Sequence, residues 1–108
     1  MADLELTEIT KAGVQHLENW LQENGYSGVT TGVWQAASAD IMADGKAENI
    51  LVQVKAALYL NEQAPLNGTD KFALKDLASR LERVPYIAYL VIAEDKSLIG
   101  EIIWERLT

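Results

Sequence analysis

The stretch ADIMADGKAENILVQVKAAL, residues 39–58, contains two apolar segments joined by the polar turn DGKAEN. The second segment, residues 49–58, is rich in aliphatic and β-branched residues, which favour a strand, yet it carries Gln53 and Lys55 in its middle. Because side chains alternate along a strand, both residues are predicted to share one face. Asp40 opens the first segment, which predicts a short strand over residues 39–43.

Pairing of these two strands through the turn brings Asp40 close to Gln53 and Lys55. Carboxylate and carbonyl oxygens are ligands of Mg²⁺, which keeps several waters and takes few protein oxygens. An adjacent ammonium group can position or deprotonate an attacking water, or neutralise charge on a phosphate. The three residues are therefore candidates for hydrolysis of phosphodiester bonds assisted by Mg²⁺ or Mn²⁺. The simpler alternatives are a turn cap at Asp40 and an edge-strand or snorkelling lysine at Lys55.

The flanking sequence predicts two helices and three more strands. Thr10 is a candidate N-cap of the first helix and Gly25 its C′ residue, while Pro85 is predicted to end the second helix. The buried stripes are predicted at Val14, Leu17 and Leu21, and at Leu74, Leu77, Ala78 and Leu81. The predicted elements are a helix over 10–24, strands over 29–35, 39–43 and 49–58, a helix from Thr69 or Asp70 to about 84, and strands over 86–93 and 98–105.

The predicted order is helix, three strands, helix and two strands, which indicates an α/β fold with a mixed sheet flanked by helices. The segment 86–93, YIAYLVIA, is apolar on both faces and is typical of a central strand. A right-handed crossover through the second helix would make strands 49–58 and 86–93 parallel. The chain has 108 residues, which predicts a single domain over 1–108.

This pattern resembles the PD-(D/E)XK nuclease superfamily, whose motif is an Asp opening the second strand and (Glu/Gln)-x-Lys in the third. Here the motif is Asp40 and QVK at 53–55. The first helix followed by GY is similar to archaeal Holliday-junction resolvases and Mrr-type restriction endonucleases, and the Mrr-like branch carries Gln-x-Lys. The resemblance covers residues 10–93. It implies a restriction-endonuclease-like core, Asp40, Gln53 and Lys55 as catalytic residues, and Asp40, Gln53 and the Val54 carbonyl as metal ligands.

The sequence departs from the family pattern at two places. The acid that these nucleases place on the first helix falls at Val14 by spacing, with Gln15 and Glu18 nearby, and Ala39 stands where a proline precedes the motif Asp. Gln53 in place of Glu leaves one sure carboxylate. Two functions therefore remain open: a metal-dependent nuclease that hydrolyses DNA, and a non-catalytic nuclease-fold protein that binds DNA or a protein partner as a regulatory subunit.

Charge and composition limit the possible functions and the cellular location of the protein. The net charge of −7 argues against a sequence-blind nucleic-acid coat but permits local contact with DNA through a bound metal. The absence of cysteine favours a reducing compartment, and no secretion signal or membrane span is predicted, so we expect a cytoplasmic protein. Trp20, Trp34 and Trp104 are predicted to pack in the core or an interface. Because duplex cleavage needs two active sites, we expect a homodimer that uses the last strand or the adjacent helix.

Overall fold

The computed structural model describes residues 6–34, 39–59 and 68–108, and these ranges hold two helices and five strands. Their order confirms the predicted α/β class and the predicted succession of elements. Residue 35 of the predicted strand 29–35 and most of the predicted loop before the second helix lie outside the described residues. The elements are α1 (Leu6–Glu23), β1 (Ser27–Trp34), β2 (Ala39–Asp44), β3 (Asn49–Leu58), α2 (Gly68–Arg80), β4 (Val84–Ile92) and β5 (Leu98–Arg106).

The five strands form one mixed sheet in the order β1-β2-β3-β4-β5. Strands β3 and β4 are parallel, as a crossover through α2 requires, and the other three pairs are antiparallel. The apolar strand β4 lies between β3 and β5, which confirms its predicted inner position. Gly100, at φ 72°, lies in β5 where the β4–β5 register shifts, and β5 is an edge of the sheet.

Each helix covers one face of the sheet. The α1 face holds the larger core, and the α2 face holds a smaller one around Leu51, Leu74, Ala78 and Ile87. Full burial of one such aliphatic side chain stabilises the fold by about 1.5–3 kcal/mol, so the α1 face contributes most of the apolar stabilisation. The buried residues of the larger core are Ile9, Leu17, Leu21, Ile41, Ala43, Ile50, Val52, Val54, Ala88, Leu90 and Ile92.

The start of α1 lies earlier than the sequence predicts. The helix begins at Leu6, so Thr10 lies inside it and is not its N-cap. The reason is tertiary: Ile9 is only 7% exposed and extends the buried stripe by one turn toward the N-terminus. Leu17 and Leu21 are buried as predicted, while Val14 is only partly buried. The packing of Ile9 against the sheet therefore sets the helical start.

The end of α1 follows the prediction. Gly25 adopts φ 88°, and the Tyr26 N–H donates to the Leu21 carbonyl at 3.0 Å. This is the Schellman arrangement, in which the residue after C′ bonds back to the last turn. It directs the chain into β1.

Neither of the two described helices is long and apolar enough to cross a membrane.

The bounds of α2 differ from the prediction at both ends. The helix begins at Gly68, which puts Thr69 and Asp70 in its first turn, and it ends at Arg80. A Schellman arrangement ends it, because Glu82 adopts φ 57° and the Arg83 N–H donates to the Ala78 carbonyl at 2.8 Å.

Two further predictions about the end of α2 are therefore wrong. Pro85 does not stop the helix but lies buried in β4, which begins at Val84. Leu81 follows the helix and is 39% exposed, so it is not part of the buried stripe. Leu74 and Ala78 are buried as predicted, and Leu77 is partly buried.

Candidate functional site

Strands β2 and β3 separate at the end that carries Asp40. Their ladder runs from Asp44↔Asn49 to Ile41↔Val52 and stops there. Continuing the same register would pair Asp40 with Gln53 and the residue before it with Val54. Instead, β2 continues only as the partner of β1, whose register with β2 is irregular at this end. A gap therefore opens between two adjacent strands at the position of the motif.

The Asp40 carboxylate fills this gap. The Val54 N–H donates to Asp40 Oδ2 at 2.7 Å, so the carboxylate takes the place of the backbone carbonyl that a continuing ladder would offer. Burial raises the pKa of Asp40 because a low-dielectric site disfavours the charged form, and the hydrogen bond from Val54 opposes part of that rise. Asp40 is thus a partly desolvated carboxylate held by the backbone of the motif strand.

The carbonyl of Val54 is expected at the same edge of β3. In a strand, the N–H and C=O of one residue point to the same neighbour, which is why paired residues can exchange two hydrogen bonds. Since the Val54 N–H reaches Asp40 on β2, the Val54 carbonyl also faces the β2 edge. The Asp40 carboxylate and the Val54 carbonyl are therefore expected to face the same gap from its two sides.

Gln53 and Lys55 lie on β3 with their side chains on the α2 face. Leu51 packs in the core on the α2 face, while Val52 and Val54 pack in the core on the α1 face. Since side chains alternate along a strand, Gln53 and Lys55 lie on the same face as Leu51. Both side chains are partly buried, and Lys55 lies beside Tyr89 of β4 in the parallel register. The sheet therefore places the predicted residues on adjacent strands, as the sequence indicated.

The amide oxygen of Gln53 is a buried acceptor. Within the described residues, Gln53 Oε1 has no hydrogen-bond partner. An unpaired buried polar atom costs about 1–3 kcal/mol of stability, and native proteins keep few of them. This acceptor lies on the α2 face of β3, one residue from the Val54 N–H that bonds to Asp40.

A cavity of about 410 Å³ opens beside Asp40 on the α1 side. The sequence did not predict that Lys11 and Glu18 would line it together with Asp40. Lys11, Gln15 and Glu18 share one helical face by spacing, and Gln15 Nε2 lies 3.4 Å from Glu18 Oε1. The sequence spacing could have shown that these three side chains share a face of α1. Only the packing of α1 on the sheet shows that this face lies beside Asp40. The full lining is Thr10, Lys11, Val14, Gln15, Glu18, Thr31 and Asp40.

Gly13 allows α1 to approach β3 closely. A Cβ at Gly13 would lie 2.8 Å from Ala56 Cβ and 3.1 Å from Val54 Cγ1, which is too close for an unaltered structure. Glycine is therefore the residue that fits between the helix and the motif strand. The contact also holds the helical face with Lys11 and Glu18 near the gap.

The predicted metal donors are all oxygen atoms, the ligand type that a hard cation prefers. No group of three or more His, Asp or Glu side chains that could hold a metal ion occurs in the ranges that the structure describes. Asp40, the Gln53 amide oxygen and the Val54 carbonyl are instead one charged and two neutral oxygen donors. Mg²⁺ suits such a set because it retains several waters when bound.

No protein-family model matches the sequence, and no curated protein matches it. A solved structure does match: that of Archaeoglobus fulgidus Hjc, a Holliday junction resolvase from an archaeal hyperthermophile. The TM-score is 0.70 at 15% sequence identity, and the match covers 90% of this chain and 76% of that chain. The likeness confirms the predicted resemblance at the level of fold: the chain has the same nuclease-like α/β fold as this resolvase.

Proposed function

We propose that the protein is a nuclease that hydrolyses DNA phosphodiester bonds with Mg²⁺ or Mn²⁺. The observation that carries the proposal is the Asp40 carboxylate, which lies in the gap between β2 and β3 and accepts the Val54 N–H at 2.7 Å. The unpartnered amide oxygen of Gln53 and the resolvase-like fold support it. Since Hjc is a Holliday junction resolvase, branched DNA is the substrate to test first.

Each residue has a defined role in this proposal. Asp40, Gln53 and the Val54 carbonyl would hold the ion, which supplies Lewis-acid stabilisation of charge on the phosphate when bound. Lys55 would orient the attacking water and neutralise charge on the scissile phosphate. Glu18 and Lys11 line the cavity beside Asp40 on the α1 side, which is the opposite face of the sheet from Lys55, and this proposal gives them no part in the reaction.

The alternative is a non-catalytic nuclease-fold protein that acts as a DNA- or protein-binding regulatory subunit. The specific observation in its favour is the partly buried Val14 at the position where related nucleases carry an acid. If this alternative holds, Asp40 serves only to close the gap beside Val54. The two functions therefore differ in whether the gap binds a divalent cation.

The test compares cleavage of plasmid and branched DNA by the wild type and by Lys55→Ala, with Mg²⁺ and with Mn²⁺. Lys75→Ala is the matched control, because Lys75 is an exposed lysine of α2. We expect Lys55→Ala to lose at least a hundredfold in rate, as loss of one charge-stabilising group typically costs. Gln53→Glu is expected to keep activity and to tighten metal binding, because it adds a charged oxygen.

Two outcomes would contradict the proposal. A wild type that cleaves none of these substrates with either metal would favour the regulatory subunit. Equal activity of wild type and Lys55→Ala would indicate a contaminating nuclease and would exclude a catalytic role for Lys55. Calorimetric titration with Mn²⁺ separates the two functions further, because a regulatory subunit would show no binding that depends on Asp40.

We also propose a homodimer formed through β5. The strand is an edge of the sheet, and Ile99 and Ile103 are 37% and 60% exposed on the α2 face. Two-fold pairing would bury them and bring together two sites for the two strands of a duplex. Light scattering at high micromolar concentration is expected to show a dimer for the wild type and a monomer for Ile103→Glu; a monomeric wild type would contradict this assembly.

We also propose that the protein acts in the cytoplasm.

A further inference from the structure

Four aromatic side chains surround a second cavity, where the C-terminal end of α1 meets β4 and β5. Trp20, Tyr26, Tyr86 and Trp104 line it together with Ile50, and its volume is about 290 Å³. All four aromatic residues are only partly buried, so they pack at the border of the α1-side core and still present ring surface. The volume lies just below the usual range of ligand pockets, about 300–1,000 Å³, which suits a small chemical group.

The angles between the rings limit the shape of what can bind. Trp20 and Trp104 have centroids 5.3 Å apart at 52°, and Tyr86 meets Trp104 at 5.8 Å and 84°. Trp20 and Tyr26 lie 6.4 Å apart at 38°. None of these pairs is parallel, so they do not form the two-sided slot that holds a flat nucleobase. The rings pack against one another at these distances, and walls inclined at 38° to 84° suit a rounded group that touches the ring surfaces facing the cavity.

The charges around the cavity favour a cation. Arg106 lies over the Tyr86 ring, with its guanidinium carbon 5.9 Å from the centroid, so this aromatic group already accepts a cation. Glu48 accepts a hydrogen bond from the Tyr86 hydroxyl and pairs with Arg106 at 3.1 Å, which offsets the arginine charge. Glu101 adds a further negative charge in an adjoining cavity that shares Trp20 and Trp104.

From these observations we propose that this cavity binds a methylated ammonium group. Such a cation is rounded and weakly hydrated, and aromatic faces attract it electrostatically, most strongly those of tryptophan. The site is separate from the candidate nuclease site: Ile50 adjoins the turn between β2 and β3, whereas the gap at Asp40 lies at the other end of their ladder. The proposal therefore does not depend on nuclease activity.

The experiment is a titration followed by indole NMR signals and tryptophan fluorescence. The probes are tetramethylammonium, choline, and the neutral isostere of choline in which carbon replaces the ammonium nitrogen. We expect saturable binding of both cations, with shifts at Trp20 and Trp104, and at least tenfold weaker binding of the neutral isostere. Trp104→Leu is expected to weaken cation binding about tenfold, as loss of one cation–π contact predicts.

A surface variant keeps the test valid if Trp104→Leu fails to fold. Glu101 is exposed, so Glu101→Lys should fold normally and weaken cation binding severalfold while leaving the neutral isostere unaffected. A short peptide carrying trimethyllysine distinguishes the two sources of the same chemistry: tighter binding of the peptide than of choline would assign the site to a modified protein, and tighter binding of choline to a metabolite. Equal binding of choline and its neutral isostere, or binding of none of the probes, would overturn the proposal.

Discussion

Replacing Asp40 tests whether its carboxylate is a structural acceptor, a functional ligand, or both. In Asp40→Ala, the Val54 N–H loses the acceptor that lies 2.7 Å away and has no ladder partner on β2 to replace it. An unsatisfied buried donor costs about 1–3 kcal/mol, so we expect a loss of that size in the free energy of unfolding.

Asp40→Asn should behave differently. The asparagine oxygen can still accept the Val54 N–H, and the neutral side chain avoids the desolvation of a buried charge. We therefore expect Asp40→Asn to be at least as stable as the wild type at neutral pH. In the proposed function the same variant loses metal binding and cleavage, so stability and activity would change in opposite directions.

The pH dependence follows from the raised pKa of Asp40. Because the folded pKa lies above the unfolded value of about 4, the stability linked to protonation of Asp40 is fully present below that value and is lost as pH rises through the folded pKa. The stability of Asp40→Asn relative to wild type should therefore be smallest at low pH and should increase as pH rises. Other carboxylates, such as Glu105 with its lowered pKa, are present in both proteins and cancel in the difference.

The assay is urea unfolding followed by circular dichroism, at several pH values, for wild type, Asp40→Ala and Asp40→Asn. Asp76→Asn is the matched control, because Asp76 forms an exposed ion pair with Arg80 on α2 at 3.2 Å, and such pairs contribute about 0–1 kcal/mol. An Asp40→Ala variant as stable as wild type would refute a structural role for the Asp40 carboxylate as the acceptor of the Val54 N–H. A stability difference between Asp40→Asn and wild type that does not vary with pH would refute the raised pKa.

Two further changes test the backbone features around the site. Gly13→Ala gains about 1 kcal/mol of helix propensity but forces a Cβ to 2.8 Å from Ala56 Cβ, which costs about 1–3 kcal/mol. Thermal unfolding should therefore show a net loss of stability, and a second substitution, Ala56→Gly, should restore part of it. A Gly13→Ala variant that is more stable than wild type would contradict the close approach of the helix to β3. Glu82→Gly should raise the free energy of unfolding by about 1 kcal/mol, because glycine adopts φ 57° without the steric penalty of a Cβ. Glu82→Ala keeps the Cβ and should not stabilise the protein. Equal stabilisation by both variants would attribute the effect to the lost charge of Glu82.

Local patterns in the sequence determined the elements of this fold. The strand predicted over 49–58 matches β3, Asn49–Leu58, because its aliphatic and β-branched residues favour a strand and follow a polar turn. The inner position of β4 followed from its two apolar faces, and the parallel pairing with β3 followed from the helix between them. Alternation likewise placed Gln53 and Lys55 on one face. These features depend on residues close to one another in the chain, which is why periodicity predicts them.

Contacts between distant residues decided the rest. The start of α1 depends on Ile9 packing against the sheet, and the end of α2 depends on a Schellman arrangement at Glu82, where the sequence indicated Pro85. The gap that brings Asp40 to Val54 arises because β2 leaves β3 while staying paired with β1, a choice between two partners that no local pattern encodes. The approach of Glu18 to the cavity beside Asp40 required the docking of α1. Side-chain spacing shows which residues share a face, but only packing of the elements determines what that face meets.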